Sequence, residues 1–190
     1  MKEESSNKHI LKILVAGHFA SGKTTFVKTL TKKILDTEKK IFHKDEQRVK
    51  GTTTVAMDFA EYKVNGYKLH IFGIPGQERF SFMWPILAKN AGGIIYLLDS
   101  TDETYWYQLF QQINMFRKMG LNVPFIFAAN KQDLPGAMSV EEIRKKMKLP
   151  DWVKIIPTVA FDEASVKKVI ETLVEEIKKY KTLENQIKAS

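Results

Sequence analysis

The eight residues 17–24 constrain the fold of this chain more than any other segment. They read GHFASGKT and match the pattern G-x-x-x-x-G-K-[ST]. A short apolar run at 10–16 precedes them and predicts a buried strand, and apolar residues at helical spacing follow over 25–35. A loop between such a strand and helix directs its backbone N–H groups at a polyphosphate. The sequence therefore predicts a phosphate-binding loop in an α/β domain.

Each part of this loop has a predicted role in binding a nucleoside triphosphate. Gly17 and Gly22 allow the backbone to approach the phosphates closely. Lys23 is expected to reach the β- and γ-phosphates, and the Thr24 hydroxyl is expected to hold Mg²⁺. The remaining loop residues expected to contact the nucleotide are Ala20, Ser21 and Thr25.

Length and composition favour one domain. A chain of 190 residues with 44% hydrophobic composition can bury a sizeable core. No apolar run approaches the roughly 18 residues of a membrane span, and the first residues do not resemble a signal peptide. The absence of cysteine excludes disulfides, prenylation and palmitoylation, and Lys2 excludes N-myristoylation. We expect a cytoplasmic protein without a membrane anchor, with a flexible N-terminus (1–9), one domain (10–181) and a flexible tail (182–190).

The formal net charge of +8 leaves two interpretations. A basic surface attracts nucleic acid or anionic lipid. However, the cations are almost all lysines interleaved with glutamates, and the arginines lie far apart, at Arg48, Arg79, Arg117 and Arg144. This pattern favours a solvated surface, and it is also typical of thermophilic proteins. We do not expect a nucleic-acid partner.

Strand and helix patterns alternate along the rest of the chain. Asn65-Gly66 between two apolar segments predicts a hairpin, and short continuous apolar runs are typical of parallel strands covered on both faces. The strands are predicted at 55–64, 67–72, 92–98, 123–129 and 155–157, and the helices at 104–119, 140–147 and 163–180, with a long charged loop at 36–54. The chain thus predicts an α/β P-loop NTPase fold with three layers and a mostly parallel six-stranded sheet with one antiparallel edge strand.

A second motif predicts which base is bound. The apolar run ending at 129 leads into Asn130-Lys131-Gln132-Asp133, an N-K-x-D pattern at the carboxyl end of a strand. The Asp133 carboxylate is suited to accept hydrogen bonds from N1–H and the exocyclic amine of guanine, and adenine offers neither donor on that edge. Lys131 is expected to cover the plane of the base. The sequence therefore indicates GTP and GDP as ligands.

These motifs, in this order, resemble those of the Ras-like small GTPases, over about 10–180 of the chain. The resemblance implies that Thr54, or Thr53 as the alternative, contacts Mg²⁺ and the γ-phosphate. It also implies that the Gly76 amide senses the γ-phosphate and that Gln77 orients the attacking water. It also implies that Val159 and Ala160 form the loop whose Ala160 amide meets guanine O6.

Two residues depart from the family pattern. Gly73 stands where the family has an aspartate that holds Mg²⁺, and Phe19 stands where a small glycine usually faces the γ-phosphate. Both departures and the run from Phe72 to Phe80 are similar to a prokaryotic subgroup, the Mgl-type gliding-polarity GTPases and the β subunit of the signal recognition particle receptor. That similarity implies a protein effector or a GTPase-activating partner of roadblock fold.

Three functions remain open at this point. A hydrolysing switch is favoured by Gln77, because a scaffold has no need of a water-orienting amide. A GTP-loaded assembly subunit is favoured by Gly73 and Phe19. An ATP-dependent kinase or ATPase is disfavoured by Asp133. Either Arg48 or Arg79 is a candidate for an arginine finger supplied in cis.

Overall fold

The computed structural model describes residues 10–35 and 58–189. The strands are β1 (Ile10–Gly17), β2 (Phe59–Val64), β3 (Tyr67–Gly73), β4 (Gly93–Asp99), β5 (Phe125–Asn130) and β6 (Ile155–Pro157). The helices are α1 (Lys23–Leu35), α2 (Trp84–Ala88), α3 (Trp106–Lys118), α4 (Val140–Met147) and α5 (Glu163–Ala189). A 3-10 helix, Glu78–Met83, directly precedes α2.

The six strands form one sheet in the order β2-β3-β1-β4-β5-β6. All neighbouring pairs are parallel except β2 and β3, which form the antiparallel hairpin at one edge. The predicted α/β fold is therefore confirmed, including the single antiparallel edge strand. The parallel strands β1, β3, β4, β5 and β6 all end at the same edge of the sheet, where open α/β sheets bind ligands.

Helices cover both faces of the sheet, which gives the three predicted layers. Alternate residues of β1 point to opposite faces because the side-chain period of a strand is two. Ile13 and Val15 pack in a core cluster with α1 and α5. Leu14 and Ala16 pack in a second cluster with α2, α3 and α4. All four side chains are fully buried, so β1 is the central element of both cores.

Most element boundaries agree with the sequence patterns to within two residues. A capping box begins α4: the Ser139 hydroxyl accepts from the Glu142 amide, and the Glu142 carboxylate accepts from the Ser139 amide. The patterns missed the 3-10 helix and α2, which are too short to show a clear period. The predicted loop at 36–54 and strand residues 55–57 lie outside the described residues.

The last helix is longer than predicted. Sequence patterns end it at 180 and place a flexible tail at 182–190, whereas α5 continues to Ala189. The apolar stripe that packs on the sheet ends at Ile177, but the following residues are good helix formers without glycine or proline, so the helix propagates. Among the described residues, no helix is both long and apolar enough to cross a membrane.

Two leucines on α5 provide a matched test of this packing. Leu173 is 1% exposed and belongs to the core, whereas Leu183 is 57% exposed. We expect Leu173→Ala to lower the free energy of unfolding by about 2–5 kcal/mol, because it leaves a cavity. We expect Leu183→Ala to change it by less than about 0.5 kcal/mol. Urea denaturation checks both, and equal losses would show that residues beyond 180 pack against the domain.

Candidate nucleotide-binding site

The predicted site residues come together at the carboxyl edge of the sheet. The loop 17–24 follows β1, the segment 73–77 follows β3, Asn130 ends β5, and the loop 158–160 follows β6. Side chains join these segments: Asn130 bonds to Ser21 and Ala160, and Gln112 bonds to Gly17 and Pro75. Of the predicted set, Thr54 lies outside the described residues.

The loop 17–24 ends in the first turn of α1. Gly22 has φ of +99°, a conformation that L side chains rarely adopt, and a Cβ there would lie 2.3 Å from Asn130 Nδ2. Lys23 and Thr24 are the first two residues of the helix. Backbone N–H groups at a helix N-terminus have no intrahelical partner and favour an anion, so the local geometry suits a phosphate.

The buried side chain of Asn130 joins this loop to the opposite loop. Its Nδ2 donates to the Ser21 carbonyl oxygen at 2.8 Å, and its Oδ1 accepts from the Ala160 amide at 2.8 Å. The neighbouring Val159 amide donates to Ser165 Oγ at 2.9 Å. The amide predicted to meet guanine O6 therefore already donates to Asn130. Asn130 fixes the spacing between the phosphate loop and the base loop.

Lys23 is held inside the phosphate loop. Its Nζ donates to the His18 carbonyl oxygen at 2.6 Å and lies 3.4 Å from Ser21 Oγ. Desolvation by burial lowers the pKa of Lys23 to about 8, and the negative charge of Asp58 opposes that shift. An ammonium group that is desolvated in this way gains an unusually strong interaction when an anion arrives.

Two glutamines of α3 clamp the same loop, and the sequence analysis missed them. Gln112 Oε1 accepts from the Gly17 amide at 2.8 Å, and Gln108 Oε1 accepts from the Phe19 amide at 2.8 Å. Gln112 Nε2 also lies 3.3 Å from the carbonyl oxygens of Gly17 and Pro75. The signal was present in the sequence, because these glutamines occupy positions in the buried stripe of a helix that also buries Leu109 and Phe116.

His18 is a structural residue of the loop. It is 1% exposed, and its Nε2 accepts from the Asp99 amide at 3.0 Å. The other ring nitrogen, Nδ1, therefore carries the proton and donates to the Phe19 carbonyl oxygen at 2.7 Å. Burial lowers the pKa of His18, which keeps the ring neutral. The ring of Phe19 packs edge-to-face on Tyr105 at a centroid distance of 6.1 Å.

The segment after β3 lies against the phosphate loop. A Cβ at Gly76 would come within 2.6 Å of the His18 carbonyl carbon, so only glycine fits at this approach. The Pro75 carbonyl oxygen accepts from Trp84 Nε1 at 2.8 Å. Gln77, the predicted water-orienting residue, accepts from Arg79 Nε at 2.7 Å through its Oε1. Arg79, a candidate arginine finger, is thus paired with Gln77 in this structure.

The base-binding motif is held by an ion pair that the sequence did not reveal. Lys131 donates to Asp99 Oδ2, and Asp99 Oδ1 also accepts from the Thr101 amide at 2.8 Å. Burial alone would raise the pKa of Asp99, but the hydrogen bonds from Lys131 and Thr101 outweigh it and lower the pKa. Asp133, two residues after Lys131, is exposed at the surface.

Comparison with known proteins identifies the family. The model of the ADP-ribosylation factor family matches residues 1–180, nearly the whole chain. The chain belongs to the ADP-ribosylation factor family. This agrees with the predicted resemblance to small GTPases and narrows it to one family.

Relatives of this ADP-ribosylation factor family member are moderately similar to it. ADP-ribosylation factor-related protein 1 of Homo sapiens is 31% identical over 140 residues, which are 70% of the chain and 64% of that protein. The chain thus spans less than two thirds of that relative. ADP-ribosylation factor-like protein 2 of Drosophila melanogaster is 24% identical over 153 residues, 80% of the chain and 76% of that protein.

A solved structure shares the fold of this family member. The Arl6 BBS3 small GTPase of Trypanosoma brucei, solved with the nucleotide analogue GppNp, has a TM-score of 0.67 and 20% identity. The match covers 90% of the chain and 98% of that structure. At this identity the likeness shows the fold alone.

The glutamine clamp yields a test with a neighbouring control. In Gln112→Ala the Gly17 amide loses its acceptor in a buried site, so we expect the free energy of unfolding to fall by about 1–3 kcal/mol. Gln111→Ala changes the adjacent position, whose buried Oε1 has no hydrogen-bond partner among the described residues. We expect a change below about 0.5 kcal/mol there. Equal effects in urea denaturation would remove the clamp from the account.

Proposed function

We propose that this chain is a GTP-binding molecular switch that hydrolyses GTP to GDP slowly, with stimulation by a protein partner. The observation that carries the proposal is the Asn130 bridge, which fixes the loop carrying Lys23 beside the Ala160 loop. A triphosphate and a guanine base need these two loops at a set spacing. Membership of the ADP-ribosylation factor family supports the same activity.

The proposed nucleotide site has separate sets of residues for the phosphates and for the base. The amides of Gly17, Ala20, Ser21, Gly22 and Thr25 are proposed to surround the phosphates, with Lys23 as the cation. Asp133 is proposed to accept from guanine, beside Asn130, Lys131, Val159 and Ala160. The Gly76 amide is proposed to contact the γ-phosphate, because Gly76 lies directly against the phosphate loop.

Thr24 fits the role of a Mg²⁺ ligand. Its hydroxyl donates its hydrogen to Asp58 Oδ2, which leaves the oxygen lone pairs for a cation. Mg²⁺ prefers hard oxygen ligands and is usually held by one or two protein groups together with phosphates. When bound, the metal ion would neutralise charge on the phosphates. Thr54, the second predicted ligand, lies outside the described residues.

Gln77 is proposed to position the attacking water. Its side-chain oxygen accepts from Arg79, so the pair restrains the Gln77 side chain from turning towards a water. That restraint opposes fast turnover by the isolated protein. A partner protein that draws Arg79 away would free the Gln77 side chain. A partner that supplies its own arginine would raise the rate of hydrolysis by about 10³- to 10⁵-fold in this chemistry.

A GTP-loaded assembly subunit is the second candidate function. It is favoured by the absence of a carboxylate at Gly73 and by the Gln77–Arg79 pair. The finer sequence-based expectations stay proposals: a prokaryotic origin, a likeness to Mgl-type GTPases and the receptor β subunit, a roadblock-fold partner and a cytoplasmic location. The lack of cysteine supports the last of these.

Base selectivity tests the proposed ligand. We expect wild-type protein to prefer GTP over ATP by about 10²- to 10⁴-fold in a competition titration, because a carboxylate left unpaired against adenine is costly. Asp133→Asn should abolish this preference and favour xanthosine nucleotides, whose base has a carbonyl where guanine has its amine. The control is Asp151→Asn. Asp151 is exposed and precedes the amino end of β6, whereas the site lies at the carboxyl end of the strands. Equal affinity of wild-type protein for ATP and GTP would contradict the assignment.

Single-turnover hydrolysis separates the two candidate functions. We expect slow hydrolysis by the isolated protein and at least a roughly tenfold further loss in Gln77→Leu, with GTP affinity unchanged. Arg79→Ala is the companion variant, because it frees Gln77 without removing it. No hydrolysis in any variant would favour the assembly subunit. Rapid hydrolysis that is insensitive to Gln77→Leu would contradict the proposed mechanism.

A further inference from the structure

Asp58 brings a carboxylate into the phosphate loop from the neighbouring edge strand. It directly precedes β2, and its Oδ2 accepts from Thr24 Oγ1 at 2.5 Å. Its charge also acts on Lys23, as the pKa of that lysine shows. No motif in the sequence assigns a role to this aspartate.

The strand register explains why Asp58 reaches this point. Phe59 pairs with Phe72 across the antiparallel hairpin, and the Gly73 amide donates to the Asp58 carbonyl oxygen at 2.8 Å. Asp58 and Gly73 are therefore directly opposite, and opposite residues of an antiparallel pair project to the same face of a sheet. A carboxylate at either position therefore starts from neighbouring points on the same face of the sheet.

Gly73 leaves the space that Asp58 uses. A Cβ at position 73 would lie 3.0 Å from Asp58 Cβ and 3.3 Å from Asp58 Oδ2. Both distances are tighter than ordinary van der Waals contact, so a side chain at 73 would force Asp58 to move. The glycine at 73 therefore leaves room for the Asp58 side chain. A carboxylate at position 58 lies one strand away from a carboxylate at position 73, a distance of about 4.8 Å.

We propose that Asp58 replaces the aspartate missing at position 73 and joins Thr24 in holding the Mg²⁺ of the bound nucleotide. This rests on the proposed guanine-nucleotide site. The direct contact between a hydroxyl and a carboxylate brings together two oxygen ligands of the kind that Mg²⁺ takes. The site then does not lack a carboxylate, so the departure at Gly73 does not imply weak Mg²⁺ binding.

The simpler alternative is that Asp58 only anchors Thr24 through a hydrogen bond. The two roles differ in what Asp58→Asn removes. The asparagine side-chain oxygen still accepts from the Thr24 hydroxyl, so an anchor would be retained and the response to Mg²⁺ would stay as in the wild type. A metal-binding carboxylate would be lost, and nucleotide binding would weaken only when Mg²⁺ is present.

The test measures the dissociation rate of a fluorescent GDP analogue, with excess Mg²⁺ and with EDTA. We expect Mg²⁺ to slow dissociation at least tenfold in the wild type and less than threefold in Asp58→Asn, with similar rates for both proteins in EDTA. Glu61→Gln removes one negative charge from the same strand, where Glu61 pairs with Lys68 and His70, and should retain the wild-type response. An Asp58→Asn protein with the wild-type Mg²⁺ response would overturn the proposal.

A strand swap gives a second, independent measurement. Asp58→Gly should lose the Mg²⁺ response, and adding Gly73→Asp should restore it, because the glycine at 58 removes the Cβ that would crowd position 73. Gly73→Asp alone places two carboxylates side by side and should not strengthen the response. If Mg²⁺ slows dissociation no more in the double variant than in Asp58→Gly alone, the proposal is contradicted. If the wild type binds no guanine nucleotide in either buffer, the proposed function itself has failed, which is a separate outcome.

Discussion

The site depends on the backbone of the loop 17–24 being fixed from outside. A loop that presents its N–H groups to an anion cannot also satisfy them within itself, so its shape has to come from other elements. Asn130 holds the Ser21 carbonyl oxygen from β5, and Gln112 holds Gly17 from α3. The buried His18 ring ties the loop to the end of β4 through the Asp99 amide. Three separate elements therefore preorganise one loop, and preorganisation lowers the cost of binding.

Electrostatics complete this arrangement. The phosphate loop carries one cation, Lys23, whose pKa is lowered because burial removes it from water. Two carboxylates stand at its margins: Asp99 is neutralised by Lys131, and Asp58 accepts from Thr24. The first carboxylate forms an ion pair, whereas the second, among the described residues, has the Thr24 hydroxyl as its hydrogen-bond partner and interacts with the Lys23 charge at longer range. That imbalance is the physical reason to expect a cation beside Asp58.

The sequence predicted what depends on local patterns. The strand–loop–helix order around Lys23, the N-K-x-D segment after β5 and the hairpin at Asn65-Gly66 follow from short-range spacing, and the sheet followed from them. The two-residue turn at Asn65-Gly66 fixes the register that places Asp58 opposite Gly73, but the predicted strand ends at 72, so this contact was not predicted. The end of α5 was also missed, because burial stops before the helix does.

Nucleotide content tests the central claim most directly. Freshly purified protein is denatured, and the released nucleotide is identified and quantified by HPLC, with Lys23→Ala prepared in parallel. The account predicts GDP or GTP at close to one per chain, and a large loss in Lys23→Ala because a buried cation beside the phosphates is removed. Stoichiometric adenine nucleotide would contradict the account. So would a wild-type protein that carries no guanine nucleotide and takes none up after exchange in EDTA.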